Sequence, residues 1–459
     1  MRLEAVRLRR FKGFLDSDWI QLRPITLLFG LNSSGKSSII SALRMVKQTL
    51  GDRSTAPIFL LATSRGVDLG SFEEVAHRHE VDFAKPIGIG LRLSLDSQDR
   101  TKLATHGIPQ ASTTKSVDLT IEVAYNKQRR LVSVAAFSIH LNDTLLIEGR
   151  RSSTSEQARF TLSSDIFSAL TSDDSSVGFV NFVPFFEPRW NEHPWHSALS
   201  RLGEHIWHSL ITEFDSLAYL GPLRTEAQRI YQFPGDSPET VGSHGEDALK
   251  TLFINRYSKT GRSTQASLNV WLSDLVGYTS SWSNFKYGLT QFLLSDTIAG
   301  CEVNFKDVGT GVSQILPVII QGLVGHRRGI LVLEQPELHL HPRAQATLAD
   351  FLIALTARGA RVIVESHSEH LLLRLRRRIA ETYFLSRSGA KLDRHKRIKP
   401  SQCALHFVSK DQNGSTVERI HLTNEGQFRK IPEAFAHFFS DDFYEIEALM
   451  RAASIGRQK

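Results

Sequence analysis

Gly30-Leu31-Asn32-Ser33-Ser34-Gly35-Lys36-Ser37 has the spacing Gly-x-x-x-x-Gly-Lys-Ser. Each fixed residue type suits the holding of phosphates. Glycines let backbone N–H groups turn inward around an anion, and a helix that starts here adds its positive end. Lys36 reaches the β- and γ-phosphates of a nucleotide, and the Ser37 hydroxyl suits Mg²⁺. The candidate ATP-binding set is therefore Gly30, Leu31, Asn32, Ser33, Ser34, Gly35, Lys36, Ser37 and the adjoining Ser38.

Three further pieces have chemistry that fits the first. Ile330-Leu331-Val332-Leu333 is an apolar run that ends at Glu334, followed by Gln335-Pro336-Glu337. A buried strand ending in an acid delivers a carboxylate to a metal, which makes Glu334 the second Mg²⁺ candidate beside Ser37. Such a strand is common alone, and its weight comes from the phosphate loop. Val362-Ile363-Val364-Glu365 is another strand-like run with His367 just past its tip, placed to meet a γ-phosphate. Gly309-Thr310-Gly311-Val312-Ser313 precedes a helix-like run from Ile315 to Leu323. One nucleotide needs one phosphate cradle, so Gly309, Gly311 and Ser313 are expected to cap the ATP of a second copy of the chain.

The elements needed to position these residues are legible as α/β grammar. Ile25–Phe29 reads as a buried strand, and Ile39, Ile40, Leu43, Val46 and Leu50 recur at helical spacing after the glycine loop. Residues 1–85 are expected to be the first part of an ATPase core. Alternation at Ile89, Leu91 and Leu93 and at Leu119, Ile121 and Val123 predicts a β-rich subdomain over 86–176. A Ser/Thr/Asp-rich stretch near 152–176 reads as its exit loop. Residues 177–300 hold five of the six tryptophans and read as a large helical, aromatic insertion with its own core. The α/β pattern returns over 301–400 with a helix from Pro342 to Leu355, and 401–459 reads as strands Leu405–Val408 and Val417–Leu422 plus a closing helix, Asp442–Arg451.

Bulk properties narrow the setting. With 41% hydrophobic and 22% charged residues, the 459-residue chain suits a globular protein of two or three subdomains. No apolar run approaches the ~20 residues of a membrane span, and no apolar signal core follows Met1. Two cysteines, Cys301 and Cys403, build neither a zinc site nor a disulfide framework, so a cytoplasmic location is expected. Between Leu371 and Pro400 ten Lys/Arg face only Glu381 and Asp393. Arg374, Arg376, Arg377 and Arg378, with the region Lys391–Lys399, are the expected contact with DNA phosphates, or else a solvated face. His339 and His341 lack a third ligand and are not read as a metal site.

In chain order, phosphate loop, glycine signature, acidic strand end and histidine resemble the ABC-type ATPase heads of SMC, RecF and OLD (overcoming-lysogenisation-defect) proteins. Leu8-Arg9-Arg10-Phe11-Lys12-Gly13-Phe14 is similar to their first strands. Glu334-Gln335-Pro336-Glu337-Leu338-His339-Leu340-His341-Pro342 is similar to their Walker B and D-loop. A more specific likeness is to a bacterial ATPase family with a C-terminal domain of unknown function. Its carriers here are Tyr219-Leu220-Gly221-Pro222-Leu223-Arg224, Val308-Gly309-Thr310-Gly311-Val312-Ser313-Gln314 and Ser366-His367-Ser368-Glu369-His370. The resemblance implies an α/β P-loop NTPase head of ABC/SMC type that dimerises around ATP, and a setting of bacterial defence beside a nuclease partner.

Two departures matter. The serine that usually precedes the signature glycines is replaced by Gly309. Gln335 stands where these heads carry a catalytic glutamate, and an amide orients water without taking its proton. The catalytic set is then Glu334, Gln335, Glu337 and His367, with Glu337 as the alternative base. Two functions stay open: a slow, dimerising ATPase, and an ATP-gated scaffold for a partner effector. An ABC transporter subunit fits worse, since no membrane segment and no signature serine are present. Only about sixty residues follow the core, too few for an added nuclease domain of ordinary size. Gly70-Ser71-Phe72 is a positional guess for the Q-loop.

Overall fold

The computed structural model describes residues 1–52, 59–63, 66–126, 131–151, 159–167, 175–186, 194–233, 238, 240–284, 289–325, 328–389, 393–431, 435 and 438. The chain divides into two units, each of which takes discontinuous segments.

The first unit comprises Met1–Leu22, Asn32–Asp215 and Val408–Val417. Its frame is a ten-stranded sheet in which Arg2–Phe11 pairs with Phe14–Asp16, Ile20–Gln21 and Ile87–Ser94. From Ile87–Ser94 it continues through Ser116–Asn126, Leu131–Leu141, Thr144–Arg151, Arg159–Ser163 and Ser175–Val180 to Val183–Phe186, every pair antiparallel. The alternating apolar residues lie in its core: Ile89, Leu91, Leu93, Leu119, Ile121 and Val123 are all buried. Helix Pro194–Asp215 turns Leu199, Leu202, Ile206, Leu210 and Phe214 inward, at spacings of three and four, against Arg2–Phe11, Val183–Phe186 and helix Lys36–Gly51. Asn181 fastens this packing, donating to Thr49 O at 2.6 Å and accepting from Trp207 Nε1 at 3.4 Å.

Of the expected exit loop near 152–176, residues 152–158 and 168–174 lie outside the described residues, and much of the described part is strand. Arg159–Ser163 and Ser175–Val180 are strands of this sheet, and within the first of them Phe160 and Leu162 are buried two apart. Serine and threonine on a strand's outer face look like loop in composition, yet the period of two was present.

The second unit comprises Arg23–Leu31, Ser216–Phe407 and Glu418–Lys459. Its sheet runs Ala218–Leu220, Ile330–Glu334, Arg361–Glu365, Ile25–Phe29 and Cys403–Asp411, with Gly414–Ile420 beyond. The first five strands are mutually parallel, so their carboxyl ends share one edge. Helices Ala248–Asn255, Gly261–Val276, Thr310–Val324, Pro342–Ala357 and Glu369–Arg387 supply the remaining apolar core. A smaller antiparallel sheet holds Tyr231–Gln232, Tyr278–Asn284, Leu289–Asp296 and Glu302–Asn304.

The stretch 177–300 therefore splits: 177–215 lies in the first unit and 216–300 in the second. Its tryptophans split likewise. Trp195 is buried in the first unit, while Trp271 meets Phe351 edge-on at 5.1 Å and Trp282 meets Phe292 at 4.8 Å in the second. They pack two cores rather than one of their own. Trp190 and the expected helix Asp442–Arg451 lie outside the described residues.

Candidate nucleotide site

All five residues of Ile25–Phe29 are buried, because parallel neighbours flank the strand on both sides. The loop that leaves it needs glycine at two points. Gly30 has φ 147° and Gly35 has φ 116°, while Ser33 takes φ 61°. A Cβ at Gly35 would lie 2.8 Å from Ser415 Oγ and 3.2 Å from the Phe14 ring. Helix Lys36–Gly51 then starts with no side-chain cap and no acid in its first turn. An uncapped helix start behind a glycine loop is an anion-binding end. Lys36 is only 3% exposed, and the Ser34 hydroxyl is buried without a hydrogen-bond partner. A buried, unsatisfied hydroxyl fits a loop shaped to hold a polar ligand.

Glu334 ends its strand on the same sheet edge: it pairs with Glu365, and Glu365 pairs with Leu28. In fold, the chain is an α/β P-loop NTPase head. The glycine loop follows Ile25–Phe29, Glu334 ends Ile330–Glu334, and His367 lies just past Arg361–Glu365. Residues 242–372 of the head match the family model described as an AAA ATPase domain. Comparison with the curated proteins gives no match. Among solved structures the head is similar to the SMC head domain from Thermotoga maritima (10% identity, 92% of this chain and 100% of that one, TM-score 0.40). It is similar also to an SmcHead bound to the C-winged helix domain of ScpA (10%, 92% and 98%, 0.44). A third is an Smc head with an extended coiled coil bound to the C-terminal domain of ScpA, derived from Pyrococcus furiosus (12%, 92% and 96%, 0.39).

Around Glu334 the head places contacts that the linear motif does not announce. Tyr219 donates its hydroxyl to Glu334 Oε1 at 3.0 Å. Gln335 adopts φ 44° and donates its N–H to Glu365 O at 2.8 Å. Glu337 is 6% exposed; its Oε1 accepts from Ser366 Oγ at 2.8 Å and from the His367 N–H at 2.7 Å. These are the contacts of a brace between two strand ends, where a general base would need water beside it. His367 is half-buried with its ring 5.7 Å from Phe438.

Burial pushes the Glu337 carboxyl above its usual range, and Glu337 Oε2 has no hydrogen-bond partner. A folded pKa above the unfolded value of 4.5 favours the fold most at low pH, and that advantage is lost as pH rises through the folded pKa. Glu337→Gln has no such dependence. Between pH 5 and pH 8 the melting temperature of wild type should therefore fall relative to this variant. A constant difference across that window would contradict a raised pKa.

The signature region starts its helix earlier than the sequence suggests, at Thr310 rather than Ile315, with Gly309 as the cap. Thr310, Gly311, Val312 and Ser313 have the composition of a loop but form the first turn, with Gly309 just outside it. A Cβ on Gly311 would stand 2.6 Å from His339 O, so this glycine permits close approach of the D-loop. Ser313 Oγ donates to Thr310 O at 2.9 Å. Ser71 of the guessed Q-loop caps a short helix, Phe72–Val75, in a capping box with Glu74. His341 caps Pro342–Ala357, accepting from the Arg343 N–H at 3.3 Å. Among the described residues, no group of three or more His, Cys, Asp or Glu is arranged to hold a metal, and no helix is long and apolar enough to cross a membrane.

The arginine run is employed inside the head. Arg378 makes a fork of 2.6 and 2.8 Å onto Asp350 and a third bond to Glu381. Arg374 also reaches Asp350, at 3.1 Å, and Arg377 pairs with Glu381. Arg376 is 9% exposed, bonds Gly426 O at 2.7 Å and lies 4.3 Å from the Phe428 ring centroid. Two of the four are thus buried, contrary to a surface of arginines facing DNA.

Proposed function

We propose that the head binds ATP with Mg²⁺ and hydrolyses it slowly, in a site that a second copy of the chain completes. The observation that carries this is the uncapped helix start behind the Gly30–Gly35 loop, with Lys36 and the unsatisfied Ser34 hydroxyl buried at it. The Ser37 hydroxyl and Glu334 carboxylate are hard oxygen donors of the kind Mg²⁺ takes beside phosphates and water. Lys36 neutralises phosphate charge, His367 senses the γ-phosphate, and Gly309, Gly311 and Ser313 cap the nucleotide of the other copy. The AAA ATPase domain match over 242–372 supports nucleotide turnover. By its resemblance to defence-associated ATPases, the head acts in the cytoplasm beside a nuclease.

Gln335 favours a second reading. A neutral amide cannot accept the proton of an attacking water, so ATP would close the dimer and gate an effector with little hydrolysis. DNA enters either reading less through this run, since Arg374, Arg377 and Arg378 pair with Asp350 or Glu381 and Arg376 is buried.

The deciding measurement is turnover per chain against protein concentration, with dimer mass by light scattering in Mg²⁺-ATP, for wild type and Gln335→Glu. The ATPase reading expects turnover to rise with concentration and the variant to be faster by about 100-fold or more, the lower end of the usual range of general-base effects. An ATP-dependent dimer without turnover selects the scaffold. Neither dimer nor turnover rejects both.

A further inference from the structure

Beyond the motif residues, one buried cation joins two parts of the second unit that the motifs treat separately. Arg224 lies four residues past the strand Ala218–Leu220 and is 6% exposed. Its guanidinium donates to three main-chain carbonyls: Gln314 O at 3.3 Å, Glu334 O at 3.1 Å and Gln335 O at 3.5 Å. The first belongs to the signature helix, and the other two to the end of the Walker B strand and the residue after it. Gln314 answers by donating its side-chain amide to Arg224 O at 3.4 Å. The same strand carries Tyr219, whose hydroxyl holds Glu334 Oε1.

Such a cation is costly to bury. The guanidinium of Arg224 hydrogen-bonds carbonyls rather than a carboxylate, and desolvation lowers its pKa to about 10, which still leaves it charged at neutral pH. Gly221 keeps room for the arrangement: a Cβ there would lie 3.0 Å from the Tyr219 hydroxyl and 3.3 Å from Ser243 O. A single buried guanidinium spread over three carbonyls fixes their mutual positions, because its planar fork offers donors in fixed directions.

We propose that Arg224 is a positioning residue that ties the signature helix to the end of the Walker B strand, while Tyr219 orients the Glu334 carboxylate for Mg²⁺. The inference rests on the ATP-binding reading and deepens it. Engagement of Gly309–Ser313 by a second copy is then felt at Glu334 and Gln335 through one side chain. Neither residue touches nucleotide in this scheme; both act through Glu334 and Gln335.

Tyr219→Phe, Arg224→Lys and Lys36→Ala test it, with ATP-induced melting shift and turnover recorded across a Mg²⁺ titration. Tyr219→Phe should raise the Mg²⁺ needed for the half-maximal ATP response by about 10- to 100-fold, the usual cost of losing a residue that orients a metal ligand. Saturating Mg²⁺ should restore the full melting shift. Arg224→Lys keeps charge and length but loses the fork; it should bind ATP as wild type does at saturating Mg²⁺ while losing the dependence of the response on protein concentration. Variants that only melt lower, with wild-type Mg²⁺ and concentration curves, would show a purely structural role and overturn the proposal. If wild type itself gives no response to ATP and matches Lys36→Ala, the ATP-binding reading has failed, and this inference falls with it.

Discussion

Lys36→Ala is expected to lower Mg²⁺-dependent ATP turnover by at least about 100-fold, the scale of removing one preorganised charge from a phosphate or oxyanion site. The ground for a large effect is burial. At 3% exposure the ammonium is held largely out of water, where its interaction with a phosphate is poorly screened. The helix behind it carries no acid in the first turn that would compete for the charge. Because removing a buried stem also leaves a gap, Lys36→Met serves as the control: it keeps the bulk, should melt close to wild type, and should be as inactive as the alanine variant. Turnover in Lys36→Met within a few fold of wild type would mean that the loop is not the phosphate cradle.

A second large effect is expected far from the nucleotide loop, at Asp350 on helix Pro342–Ala357. This carboxylate is 6% exposed and accepts from both Arg374 and Arg378. Asp350→Ala leaves the buried Arg378 with Glu381 alone, and losing one member of a buried pair costs about 3–5 kcal/mol. For domains of this size that corresponds to a fall of roughly 6–20 °C in melting temperature. Arg377→Ala, whose pair with Glu381 is largely exposed, should change it by no more than ~1 kcal/mol equivalent. Thermal unfolding of the two variants separates the cases. If Asp350→Ala melted with wild type while Arg377→Ala abolished binding to duplex DNA, the arginine run would be an interface rather than a brace.

What was legible in the sequence follows from how local each feature is. The phosphate loop, the strands ending at Phe29, Glu334 and Glu365 and the helix from Pro342 declare themselves within a dozen residues, since apolar runs, glycine punctuation and caps are short-range signals. Arg224 does not, because three carbonyls at 314, 334 and 335 give it its place, and nothing near residue 224 encodes them. It appears in the sequence only as the end of a resemblance, Tyr219-Leu220-Gly221-Pro222-Leu223-Arg224. The arginine run misleads for a related reason, as its partner Asp350 sits on another helix. Yet part of the answer was available. Leu372, Leu375 and Ile379 form the buried stripe of Glu369–Arg387, and Arg376 and Arg378 fall at spacings of four and three along it.

The strand that carries the phosphate loop also sets a timetable for the birth of the chain. Arg2–Phe11 finds its neighbour Ile87–Ser94 early, but among the described residues Ile25–Phe29 pairs with Arg361–Glu365 and Cys403–Asp411 alone. At ordinary rates of synthesis the ribosome needs roughly 20 to 75 s to reach those residues. For that time a five-residue β-segment with four large apolar side chains has no hydrogen-bonding partner from its own sheet. Such long-range, parallel pairing is slow to form and exposed to aggregation while it waits. Fragments ending before residue 365 should therefore be poor candidates for soluble expression.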